Sequence, residues 1–203
     1  MYFPEFFARI PAIHLVDPLA AMLGAAQGGM LEYRYEDAVK LAGHSCPTVA
    51  SAYWLTHLAL QQLYPQALPV RGGVRVMLAE NRTTGVTGVI AQVVTLLTGA
   101  ADEGGFKGLG GQFRRQGLLS FAEEQPLALR FTRLDTGASV DAEADVARVP
   151  QVPEASSLLA HCLAGEAGED ERLAFGRLWQ DRVAKLLLEH GDDPAVFIVR
   201  PAA

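Results

Sequence analysis

Cysteine is scarce in this 203-residue chain: Cys46 and Cys162 are the only two, and neither belongs to a CxxC pair. That count excludes a disulfide framework, though a single bridge between the two stays open. Long apolar runs are missing as well. The longest, GVTGVIAQVVTLLTGAA, falls short of the roughly 18 residues a membrane-spanning helix needs, and Gly and Thr interrupt it. Clustered positive charge is lacking too. Lys and Arg number 17 against 23 Asp and Glu, and the one basic doublet lies in FRR at 113–115. A net charge of -6 with no basic patch argues against a nucleic-acid partner. The amino terminus has no basic segment followed by a long apolar one, so a signal peptide is not expected. The expectation is a cytoplasmic protein, away from membranes, with reduced thiols.

Half of the residues are hydrophobic. At this length that predicts one domain, 1–203, with a sizeable core. Pro18 opens a short helix ended by a glycine pair, and YEDAVKLAG reads as a second helix over 35–42 stopped by Gly43. PTVASAYWLTHLALQQLYPQ is the clearest helix of the first half, with Pro47 at its first position. GGVRVMLAENR alternates as a strand, with Val74, Val76 and Leu78 on one side. VTGVIAQVVTLLTG follows as a buried helix capped by Gly99. GLLSFAEE and LALRFTRLD read as strands, and 136–154 as a loop or short irregular segment. A short helix at 154–165, a long amphipathic helix from Glu169 to His190 and a final strand, AVFIV, complete the chain. Helices and strands do not alternate strictly. The predicted class is therefore α+β, one core domain with a mixed sheet packed against helices.

The stretch LAGHSCPTVASAYW concentrates chemistry. With Pro47 first in its helix, Cys46 takes the N-cap position, near unpaired N–H groups and the positive end of the helix dipole, a setting that favours thiolate. His44 lies two residues earlier. A thiolate and an imidazole on one loop suit zinc or another divalent transition metal, and equally a Cys–His nucleophile pair. They also suit nothing at all, since cysteine often only fills core space.

Beyond this loop the chain resembles the FmdE family of formylmethanofuran dehydrogenase subunits. YEDAVKLAGHSCPTVASAYW is similar to the family segment in which GHxCPG opens a helix. AENRTTGVTGVIAQVVTLLTGAADEGGFKGLGGQ is similar to a second block of the form ENRxCGxDAIQxxTGxTxGKGNL. The likeness runs over 35–121, with an echo at 175–188. It implies an α+β core, often dimeric, around a metal-binding or otherwise reactive cleft at the His-x-Cys loop, here without the cysteine-rich zinc finger that some members append. His44, Cys46, Pro47, Asn81, Arg82, Gly85, Thr98 and Gly99 match the family's pattern. Ala42, Thr84, Thr87 and Ala100 stand where the family often carries His, Cys, Asp and Cys.

His14, in IPAIHLVDP, is a candidate for the ligand lost at Ala42. The expected metal set is then His14, His44 and Cys46, holding zinc with an open position. The opposing reading makes His14 a loop histidine bonded to backbone. Asn81 and Arg82, after a strand, could orient a carboxylate or phosphate of a ligand or cofactor. Their alternative is a structural ion pair. EGGFKGLGG lacks the Gly-Lys-Ser/Thr ending of a phosphate-binding Walker loop and reads as a tight crossover or one wall of a cleft. His57, about 16 Å along its helix from Cys46, reads as a helix-face residue. Three functions remain: a zinc-binding protein, such as an accessory to a metalloenzyme; a thiol-dependent enzyme with Cys46 as nucleophile and His44 as base; and an interaction subunit with a vestigial site. A homodimer burying part of the long helix or the 126–134 strand is the expected partner arrangement.

Overall fold

The structure is a computed structural model that describes residues 3–202. Two sheets organise it. Strands β1 (Ile13–Val16) and β2 (Met30–Tyr33) form a small antiparallel pair, and five strands form a mixed sheet. These are β3 (Val74–Leu78), β4 (Leu119–Ser120), β5 (Leu129–Arg133), β6 (Ser139–Ala144) and β7 (Phe197–Pro201). Their order is β4-β3-β5-β6-β7; only β3 and β4 run parallel. The α+β class holds.

The helices follow their capping signals. In α1 (Pro18–Met22), Pro18 sits at the first position and the Asp17 side chain accepts from the N–H groups of Leu19 and Ala20. Helix α2 (Tyr35–Ala42) ends on Gly43 at φ 76, a left-handed conformation that costs glycine least. Helix α3 (Pro47–Leu63) begins after N-cap Cys46, and Gly99 closes α4 (Thr87–Thr98) at φ 73. Helices α5 (Pro153–Ala164) and α6 (Glu169–Leu188) finish the set.

Helix α3 is the axis of the core. It is buried almost all round, which its continuous apolar content allows. Two of its buried hydroxyls turn onto its own backbone: Ser51 donates to the Pro47 carbonyl and Thr56 to that of Ala52. The helix packs on β5, β6 and β7 and against α4 and α6. Val74, Val76 and Leu78 of β3 and Leu129 and Phe131 of β5 face these helices, all at most 2 % exposed. Each such side chain contributes about 1.5–3 kcal/mol through burial. On the opposite face Arg130 forks onto Asp141 of β6, at 2.6 and 3.0 Å.

Several sequence expectations are corrected. The segment read as a loop over 136–154 contains β6, paired on both sides. Its alternation is masked because Asp141 is buried, which only its Arg130 partner makes tolerable. His14 lies on β1, not in a loop. Strand 117–124 shrinks to two residues, and the first helix stops at Met22. The 126–134 strand shortens to β5, Leu129–Arg133, flanked by β3 and β6. Helix α6 stops at Leu188, and His190 faces Asp193 at 3.4 Å rather than serving inside the last turn. No helix among the described residues is long and apolar enough to cross a membrane.

Candidate functional site

Segment 44–46 is clamped from behind. Tyr35, fully buried, shares a 2.9 Å hydrogen bond with the Ser45 hydroxyl, and burial pushes its own hydroxyl pKa well up. Trp179 and Gln180 of α6 both donate to the Ser45 carbonyl, at 2.9 and 3.2 Å. Cys46 is half-buried, packs against the apolar core and occupies the N-cap, but its sulfur accepts no hydrogen bond from the first turn of α3. His44 is exposed, and its Nδ1 donates to the Ala42 carbonyl at 2.9 Å instead of bonding to Cys46. Both cysteines are free, so no bridge joins them.

His14 does not join this loop. It stands opposite Glu32 in the β1–β2 pair, with Nδ1 3.7 Å from the Glu32 carboxylate. On its other side it shares a hollow of about 190 Å³ with His57. Burial holds His57 below its ordinary pKa, against the opposing charge of Asp192, and its ring lies 5.1 Å from that of Trp54. Among the described residues no three His, Cys, Asp or Glu side chains gather as a metal-holding group. A resident zinc needs three or four protein ligands. His14, His44 and Cys46 therefore do not fit one within a single chain.

A cleft of about 430 Å³ lies elsewhere. One face of α4, which connects β3 to β4, lines it together with Arg82 and Phe121, which follow those strands, and Arg71, which precedes β3. Arg82 follows β3 and Phe121 follows β4, so the crossover brings them to one rim. The Arg82 guanidinium lies 4.8 Å from the Phe121 ring centroid and 2.5 Å from the Asp102 carboxylate. Leu41, Ala91, Leu96 and Leu119 give the cleft an apolar wall, with Gln92 and Thr95 as neutral polar points. Arg82 is half exposed, so its pair with Asp102 is worth at most about 1 kcal/mol. Asn81 is exposed and is not part of the wall; its carbonyl accepts from the Thr84 N–H in the turn after β3.

A buried charge cluster lies behind the cleft. Asp17 accepts from Arg71 at 3.2 Å and from Arg115 at 2.8 Å, besides its two cap bonds. Burial alone raises the Asp17 pKa, but the Ala20 N–H and the two guanidiniums outweigh it and hold the carboxyl below its usual value. Arg71 also donates to the Leu96 carbonyl near the end of α4, and it lines the cleft. None of Asp17, Arg71, Asp102 or Phe121 was marked by the sequence. The one available signal was Asp17-Pro18, an N-cap pair. No protein-family model matches the chain, and no curated protein matches it either.

Proposed function

We propose that the protein binds a small, mostly apolar molecule with one acidic end in the cleft lined by α4, Arg82 and Phe121. A single observation carries this reading: a cavity of about 430 Å³ with an apolar wall has one half-exposed guanidinium at its rim. That volume lies in the range of small-molecule sites, and few polar groups in an apolar wall is their usual make-up. Arg82 is weakly held by Asp102 and supported by the Phe121 face, so it can exchange its partner for a ligand carboxylate or sulfonate.

Anilinonaphthalene sulfonate, an apolar ring system with one anionic group, is a suitable probe, with octanoate as competitor. The dye is expected to bind saturably and octanoate to displace it. Arg82→Ala weakens binding about tenfold, the scale of one lost charge-assisted hydrogen bond. Gln92→Trp, at an exposed helix position, fills the cleft and removes binding. Unchanged affinity in both variants sinks the reading.

A second reading keeps the metal. With Nδ1 of His44 committed to a carbonyl, Nε2 is the ring nitrogen left to ligate, the arrangement usual in metal-ligating histidines. Zinc held by His44 and Cys46 requires donors from a second copy of the chain, in keeping with the family resemblance. Untagged protein should then carry close to one zinc per two chains and run as a dimer in light scattering. Loss of both zinc and dimer in His44→Ala and Cys46→Ala supports it; metal-free monomer ends it.

A further inference from the structure

A second, smaller pocket of about 260 Å³ lies on the other side of Arg71. Its wall includes Arg71, Arg114, Arg115 and the Gly72-Gly73 backbone, and no acidic residue. That is an anomaly in a chain with net charge -6. Asp17, behind the wall, is shared by Arg71 and Arg115. Three guanidiniums against one carboxylate leave two positive charges without a partner. Arg71 has the Leu96 carbonyl besides Asp17, Arg115 has the shorter bond to Asp17, and exposed Arg114 has no carboxylate at all. The Arg115 side chain is only 8 % exposed, and its Nη1 is buried with no acceptor. A buried donor without a partner needs an explanation, and a buried surplus charge is costly without a counter-ion nearby. Nη1 lies over Gly72, itself part of the pocket wall. Phe113, at φ 59, bends the chain around the same pocket. The main-chain N–H groups of Phe113 and Arg114 donate to no acceptor among the described residues.

We propose that this pocket binds a phosphate group, as the free ion or as the end of a phosphomonoester. Phosphate near neutral pH carries a charge of about -1.5 to -2, which matches the surplus of two. Its several oxygens suit the Arg71, Arg114 and Arg115 side chains together with the main-chain N–H groups of Phe113 and Arg114, those of Arg71, Gly72, Gly73 and Arg115 being bonded to carbonyls elsewhere. The apolar cleft on the opposite side of Arg71 takes no part in this site.

The test is a titration of the intact protein with inorganic phosphate, chloride holding the ionic strength constant, followed by backbone amide NMR. Saturable shifts at the Phe113 and Arg114 amides are expected, with Kd on the order of 1 mM or tighter. Arg114→Glu weakens binding well beyond tenfold and Arg114→Gln about tenfold, since the exposed side chain supplies a charge-assisted bond. Arg82→Ala, at the other cleft, leaves it unchanged. A parallel titration with glycerol phosphate separates the sources: tighter binding marks a phosphomonoester, equal or weaker binding the free ion. Shifts that stay linear in phosphate, or saturable shifts that persist unaltered in both folded Arg114 variants, overturn the proposal.

Discussion

Replacing Asp17 by alanine is expected to destabilise the protein by about 3–5 kcal/mol, the cost of removing one partner from a buried ion pair. One side chain ties together four donors: the Leu19 and Ala20 N–H groups, Arg71 and Arg115. Losing the cap costs about 1 kcal/mol. The larger part comes from Arg115, left almost fully buried with neither counter-charge nor acceptor. Asp17→Asn keeps a capping oxygen but no charge, and should fall between wild type and alanine. Urea unfolding followed by Trp54 and Trp179 fluorescence gives the three values, with the midpoint moving at constant slope. Acid supplies a second readout. The Asp17 carboxyl is held below its usual value, so its stabilisation is fully present above the unfolded-state pKa of about 3.9. It is lost as pH falls through the lower, folded-state value. Wild type should therefore lose stability more steeply than Asp17→Asn below about pH 4. Equal acid slopes would show that Asp17 is not the group whose protonation matters.

Gly72→Ala is the second large effect, expected to cost about 3–5 kcal/mol. Two causes add. At φ 81 the backbone is left-handed, which costs a residue with a Cβ about 1–2 kcal/mol. The new Cβ would also fall 1.6 Å from Arg115 Nη1 and 2.3 Å from its Cζ, so the guanidinium must leave its place. Moving it breaks the bond to Asp17 and forfeits part of the buried pair. Gly43→Ala separates the causes. It has a similar φ of 76, and nothing lies within 4 Å of its would-be Cβ, so it should cost only about 1 kcal/mol. Because Gly72→Ala and Asp17→Ala damage the same contact, the double variant should lose clearly less than the sum. Additive losses, or a Gly72→Ala cost no larger than that of Gly43→Ala, would contradict the close packing of Arg115 over Gly72.

The parts of this architecture legible in the chain are those set by local chemistry. Pro47 and Pro153 at first helical turns, and Gly43, Gly99 and Gly165 just past last turns, mark helix ends without reference to anything distant. The alternation in β3 likewise carries its own burial pattern. Strand β6 was illegible because a buried aspartate reads as surface until Arg130 is known to lie across from it. The site obeys the same division. Arg82 could be picked out as a polar residue after a strand. Asp102 and Phe121 reach it only through the path of the loop between α4 and β4, which glycine-rich sequence leaves open. Asp17 and Arg115 are 98 residues apart, and no local rule joins them. Placing His14 with His44 and Cys46 assumed a loop free to bend, whereas strand pairing fixes it opposite Glu32.

The outer margins of the five-stranded sheet bear on how such a molecule stays dispersed. On one side β4 offers two residues of backbone, too brief a template for a foreign strand to zip onto. On the other, β7 ends in exposed Arg200 and Pro201, a charge and a residue with no N–H to donate. Ribbon-like growth from copy to copy, the route to amyloid, therefore meets blunted borders at both ends. Strand-to-strand joining of two molecules through this sheet is therefore disfavoured.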